Sequence, residues 1–292
     1  MNATPPGRTP LPLTLDPGLN VLRLAALTAG PDGALDAHTL SLMADLVGAG
    51  AVDRVPARQV ARELTGGLLA PAPSHMLRTL RECGALERVL PELDALFGVP
   101  QAADHPAEVD VGRHQLRVVD EAARCGAPLA VRWAALFYNL GKADSPPEHL
   151  PTHYKHVERA CPRINAICDR LELDADTRDL ALLAVHELER VHKAVEMRAG
   201  AITLLLERVE AFARPDRFEH LLTLCTCDYR AFPGHAQRSY PKAPLLRQAR
   251  QACLDVDTAA VVAGLPPEAA ATALLEARTD AVARALQSTR SG

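Results

Sequence analysis

VRWAALFYNL, residues 131–140, is apolar around almost its whole circumference. A helix without a polar face has to lie inside other helices, so this stretch is expected to be the most buried element of a helical protein. The composition agrees. Of the 292 residues, 48% are hydrophobic but only 3% aromatic, which leaves Leu, Ala and Val to build the core. Strands favour β-branched and aromatic side chains, whereas this mixture suits helices. The expected fold is all-α, and the length suffices for one long or two modest helical domains.

Outward from that stretch the chain reads as helix after helix. Residues 1–20 hold five of the 23 prolines and no apolar period, which predicts a loose tail. Leu40, Met43, Leu46 and Val47 share one helical face. Ser74 is placed to cap the next helix, with Met76, Leu77 and Leu80 inside it and Gly84 just past its end. Residues 114–125 form the helix before the central one, and Gly141 with Lys142 in NLGK reads as the central helix's stop. Asp174 and Thr177 make a cap for a helix running through Leu180, Leu183 and His186. Pro215 opens another at a first-turn position. The chain closes on a solvent-facing amphipathic helix from about Pro266. No alternating strand pattern persists, and there is no internal repeat.

Net charge is −4 and the sequence pI about 6.3. A dedicated nucleic-acid binder carries a basic excess, so DNA is not expected as a partner and RNA contact requires a local patch. The seven cysteines are scattered, Cys225-x-Cys227 is too tight for a zinc pair, and they read as reduced core residues. No apolar run reaches the ~18 residues of a membrane span, and no charged-then-apolar leader opens the chain. The expectation is a soluble, cytoplasmic protein without membrane partners.

Candidates for chemistry are few. His153 and His156 are three apart, a spacing that presents both rings to one metal if the segment is helical. His186 and His192 do not share a face. Asp174/Asp176 and Asp255/Asp257 have the spacing of a polymerase metal pair, but neither follows a Gly-rich turn able to cradle a triphosphate.

Taken together, the segments resemble the helical neck and body of bacterial CCA-adding tRNA nucleotidyltransferases. DPGLNVLRLAAL at 16–27 resembles the stretch joining the head of such an enzyme to its neck. LRECGALERVLPELDALFGVPQ at 80–101 is similar to the family almost residue for residue. DVGRHQL at 110–116, NLGK at 139–142, PPEHLPTHYKHV at 146–157, CDRLELDADTRDLALL at 168–183, CDYR at 227–230 and SYPKA at 239–243 continue the likeness in order. It covers roughly residues 11–255. The resemblance implies a flexible tail at 1–15, neck and body helices at 16–103, an HD-type phosphohydrolase-like helical domain at 104–255, and a helical tail at 256–292.

The departures from the family are informative. The head, with its Gly-Ser turn and metal carboxylates, has no counterpart before Asp16, so the chain by itself is not expected to add nucleotides. The Glu-Arg pair that helps select the incoming nucleotide aligns with Arg58 and Gln59. Of the HD metal ligands, His114 and Asp228 are kept, but the His-Asp pair has become Tyr138-Asn139 and a further His aligns with Leu188. A phenol with pKa near 10 and an uncharged amide are poor ligands at neutral pH. His114, His153, His156 and Asp228 are the vestigial metal candidates, and no cofactor is expected beyond one weakly held divalent ion.

The resemblance therefore implies a catalytically degenerate relative that binds tRNA or another RNA, or serves as a scaffold. Arg113, Lys142, Lys155, Arg230, Arg238 and Lys242, in or beside the family segments, are the phosphate-contact candidates. The enzyme alternative is a residual metal-dependent phosphohydrolase using His114, His153, His156 and Asp228. A third reading is an interaction scaffold that pairs with a separate protein through its C-terminal helix.

Overall fold

The structure, a computed structural model, describes residues 14–31, 33–104, 106 and 108–290, with side chains through residue 287. The tail expected at 1–15 lies, through residue 13, outside the described residues. The chain forms two compact units, Met1–Ala181 and Leu182–Gly292.

Short polar residues start many of the helices, as local hydrogen bonding dictates. In the first unit α1 (Pro17–Leu27) begins after Asp16, whose carboxylate accepts the Leu19 N–H at 3.0 Å, with Pro17 in the first turn where no N–H is needed. α2 (Ala37–Gly48) is capped in the same way by Asp36 on Thr39 at 2.8 Å. α3 (Ala57–Leu68), α4 (Pro73–Glu82), α5 (Ala85–Val89) and α6 (Pro91–Asp94) follow. α1 packs against α2, α3 and α4, burying Val21, Leu22, Met43, Leu64 and Leu77.

Ser74 is not the cap of α4. The helix starts one residue earlier, on Pro73, and Ala72 at the cap position has no side-chain acceptor. The Ser74 N–H instead donates to Asp120 Oδ1 at 3.0 Å, an acceptor 46 residues away. Gly84 does end α4, in the left-handed conformation at φ 80° that costs a residue without Cβ nothing.

Two three-residue strands, β1 (Pro100–Ala102) and β2 (Glu108–Asp110), pair antiparallel with Gln101 opposite Val109. They are too short to show an alternating pattern, and the fold stays essentially all-α. Asp110 then caps α7 (Val111–Arg124) on the Arg113 N–H at 2.7 Å, and also accepts from Gly98 at 2.6 Å. α7 pairs with α8 (Leu129–Phe137).

Every residue of 131–141 is buried, with Trp133 against Phe137 at 5.4 Å between ring centres. The single charge in that stretch, Arg132, is only 7% exposed. Its guanidinium donates to the carbonyls of Ala127 at 2.9 Å and Leu68 at 2.6 Å, closing the C-terminal end of α3.

Gly141 differs from its sequence reading as the stop of the central helix. α8 ends at Phe137, and Gly141 lies in the following 3-10 turn, 140–142, without a positive φ. Glycine is required there by close approach: a β-carbon would run into the His156 carbonyl and the Ala160 nitrogen of α9 (His156–Arg170). α10 (Ala175–His192) carries the chain across the unit boundary, starting where Asp174 caps Thr177 at 2.6 Å.

The second unit holds α11 (Ala199–Arg208), α12 (Pro215–Ala231), α13 (Lys242–Leu254), α14 (Thr258–Val262) and α15 (Pro267–Arg290). Pro215 occupies the first turn of α12. α15 lies along α11, α13 and α14, anchored by buried Ala281 and Val282, while much of its surface faces solvent. All seven cysteines are free thiols, five of them buried. Among the described residues no helix is long and apolar enough to cross a membrane.

Candidate functional site

The sequence-derived metal candidates fall in both units, His114, His153 and His156 in the first and Asp228 in the second. His114, on α7, is fully buried. Beside it on the same helix, Gln115 donates to the Ala135 carbonyl at 2.8 Å and accepts from Asn139 Nδ2 at 2.9 Å. Asn139, which stands where the resemblance places an aspartate, thus spends its amide Nδ2 as a buried donor. Tyr138 is buried as well.

His153 does not share a helical face with His156. It precedes α9, and both His153 (φ 57°) and Lys155 (φ 62°) adopt the left-handed region that side chains rarely enter. His153 is 1% exposed. Its Nε2 lies 2.8 Å from the Pro100 carbonyl and its Nδ1 2.7 Å from Ser145 Oγ. A carbonyl only accepts, so Nε2 carries the proton and the Nδ1 lone pair is taken up by the Ser145 hydroxyl. Burial, with lesser contributions from the Lys142, His156 and Arg159 charges, pulls its pKa down to about 4 against a partly opposing hydrogen bond to Pro100. His156 directs Nδ1 at the His153 carbonyl, 3.1 Å away.

Arg159 holds this turn, donating to Gly141 O at 2.9 Å and Ser145 Oγ at 2.9 Å. A divalent metal does not fit this arrangement. Among the described residues no three His, Cys, Asp or Glu side chains converge to hold one. Of the two Asp pairs weighed as polymerase ligands, Asp174 and Asp257 are helix caps and Asp255 accepts from Gln251 at 2.7 Å.

In the second unit Asp228 belongs to a network that sequence reasoning did not assemble. His192 Nε2 lies 2.8 Å from Asp228 Oδ2, and the Tyr240 hydroxyl lies 2.8 Å from His192 Nδ1. Burial first, then the neighbouring Cys225, Asp228 and Tyr229, push the Tyr240 phenol far above its ordinary pKa. Tyr240 is therefore the donor, and His192 passes the polarity on to the carboxylate. Tyr240 also contacts Tyr229, at 5.3 Å between rings, and Tyr229 contacts His235 at 4.6 Å. Of these, Asp228, Tyr229 and Tyr240 lie in the CDYR and SYPKA segments. His192 carried no signal beyond its residue type.

The phosphate-contact candidates divide evenly between the units. Arg113 and Lys155 are exposed, and the Lys155 ammonium sits 5.6 Å from the Tyr154 ring centre. Lys142 is half-buried and donates to Gln101 at 2.8 Å. Arg230 is half-buried, with Nε lacking a hydrogen-bond partner among the described residues. Arg238 is exposed and Lys242 half-buried, and both stand on the aromatic cluster around Tyr229. Of the pair aligned with a base-selecting site, Arg58 is ion-paired to Glu172 at 2.8 Å, while Gln59 Oε1 is buried without a partner among the described residues.

Comparison with known proteins gives this helical architecture its context. Residues 34–97, covering α2 to α6, match a family described as "Probable RNA and SrmB- binding site of polymerase A". Over about nine tenths of its length the chain is homologous to multifunctional CCA proteins. It is 43% identical over 264 residues to that of Chromobacterium violaceum, covering 90% of this chain and 65% of the relative. It is 44% identical over 270 residues to that of Burkholderia pseudomallei, covering 92% and 65%, and 44% identical over 244 residues to that of Aromatoleum aromaticum, covering 83% and 60%. The chain thus spans between 60% and 65% of the length of these relatives.

Proposed function

We propose that residues 14–290 form a tRNA-docking body that holds RNA by its phosphates and performs no metal-dependent hydrolysis of its own. The observation that carries the RNA part is the homology to multifunctional CCA proteins over 264 residues, together with the match of residues 34–97 to an RNA-binding family. The supporting charges are Arg113, Lys142, Lys155, Arg230, Arg238 and Lys242, local cations on a chain whose net charge is −4. Sequence-independent phosphate contacts suit such a distribution, because affinity then comes from counterion release and not from base-edge recognition.

The loss of hydrolysis is supported by the side chains at the HD positions. A metal-bound hydroxide needs anionic or imidazole ligands with free lone pairs. Asn139 offers an uncharged amide whose Nδ2 donates to Gln115, and His153 has its Nδ1 lone pair engaged by Ser145. Restoring a site would require breaking both interactions in the buried core.

The test is fluorescence anisotropy with a labelled tRNA transcript, at low and at physiological salt. Micromolar or tighter binding that weakens steeply with salt is expected. A flat signal even at low salt would remove the RNA reading and leave the scaffold role with a separate protein partner.

A further inference from the structure

Several arginines of the second unit are paired with carboxylates. Arg208 pairs with Glu187 at 3.1 Å, Arg217 with Glu210 at 2.5 Å, Arg247 with Glu219 at 2.7 Å, and Arg278 with Glu207. Arg238 and Lys242 are held differently. Arg238 donates to the Nε2 lone pair of His235 at 3.0 Å, and His235 in turn donates from Nδ1 to the Tyr229 carbonyl at 3.2 Å. His235 is buried, so its ring, donating from Nδ1 and accepting at Nε2, is a fixed anchor for an exposed guanidinium. Lys242 places its ammonium 5.2 Å from the Tyr229 ring centre and 5.4 Å from that of Tyr240. Two aromatic faces orient it without cancelling its charge. Neither cation is paired with a carboxylate among the described residues.

We propose that Arg238 and Lys242 form a preorganised phosphate-binding site for the RNA backbone, with His235, Tyr229 and Tyr240 as its positioning residues. The site rests on the tRNA-docking reading above and deepens it. Long cationic side chains lose rotamer freedom when they bind, and that loss is smaller when they are already held. Neutral partners supply the hold and leave the positive charge for the ligand. The planar guanidinium suits two phosphate oxygens, and the ammonium acts as a point charge on a backbone phosphate. Lys242 also opens α13, whose N-terminus has no side-chain cap, so the helix end adds attraction of the same sign. Asp228 is engaged by His192 at 2.8 Å. The Tyr240–His192–Asp228 chain thereby keeps the Tyr240 ring in place beneath the ammonium.

The full chain is titrated with a labelled tRNA transcript across a salt series, as wild type and as Arg238→Gln, Lys242→Gln and His235→Phe. Arg247→Gln, which removes an exposed cation already paired to Glu219, is the control. Each of the first two variants is expected to weaken binding and to flatten the plot of log affinity against log salt by about 0.7–0.9, the contribution of one phosphate contact. His235→Phe keeps both charges and is expected to weaken binding by freeing Arg238, with a thermal melt confirming that it is folded. Arg247→Gln should leave affinity and slope unchanged. If wild type binds and the Arg238 and Lys242 variants keep its affinity and slope, the site is wrong while the docking reading stands. If wild type does not bind at low salt, the docking reading fails first and the site fails with it.

Discussion

His192 Nε2 lies 2.8 Å from Asp228 Oδ2 while its Nδ1 receives the Tyr240 hydroxyl at the same distance, so one imidazole joins three segments of the second unit. α10 supplies the His, α12 the Asp, and the loop before α13 the Tyr. Replacing Asp228 with Ala leaves a largely buried N–H without its charged acceptor, and the expected cost is about 2 kcal/mol. Asp228→Asn keeps an acceptor and should cost less. Tyr240→Phe removes one hydrogen bond and should cost about 1 kcal/mol. Because the groups share a ring, the double variant should depart from additivity by at least about 0.5 kcal/mol in denaturant unfolding. Additive losses would mean that the three do not act as a unit.

His153 makes stability depend on pH. Its folded pKa of about 4 lies below the ordinary value of 6.5, so the unfolded chain binds the proton more readily. Stability from this group is complete above pH 6.5 and falls as pH drops towards 4. In His153→Gln, chemical denaturation between pH 6.5 and 4 should show a shallower loss than wild type, whatever its absolute stability. Parallel curves would show that the ring is not held neutral.

Arg132 and Gly141 are expected to be intolerant for separate reasons. Arg132→Met keeps the volume but strands the Leu68 and Ala127 carbonyls, a loss of about 2–4 kcal/mol, and Arg132→Lys should not rescue it because an ammonium lacks the fork. Gly141→Ala forces the 3-10 turn away from α9 and should cost about 1–3 kcal/mol. Thermal melts that matched wild type for either variant would refute the corresponding contact.

Divalent metals should not matter. Adding manganese or magnesium, or stripping metals with EDTA, is expected to leave the melting temperature of the protein alone unchanged. No turnover of phosphomonoesters or cyclic nucleotides is expected. A metal-dependent rise in melting temperature with hydrolysis abolished by His114→Ala would instead establish the phosphohydrolase reading.

Much of the helical order was legible from local chemistry. Asp174 and Thr177, Pro215 and Gly84 mark helix ends because capping and backbone conformation act within a few residues of the chain. The burial of 131–140 was legible because a segment with no polar face has nowhere else to go. Ser74 misled for the opposite reason: its helix takes its cap from Asp120, and no local pattern reports an acceptor 46 residues distant. Gly141 looked like a stop signal, yet its requirement comes from the backbone of α9 passing against it.

The site divides along the same line. Residue types at the positions that the resemblance aligns with a His-Asp pair, Tyr138 and Asn139, were legible from sequence, since charge and donor type belong to the side chain itself. Only the tertiary structure decided that Asn139 turns its amide to Gln115, that His153 gives its lone pair to Ser145, and that Asp228 takes His192 as its partner. Those outcomes depend on which groups burial brings within about 3 Å of one another, where an unmet polar atom is costly. Sequence spacing carries the period of a helix, but not the identity of the neighbour across the core.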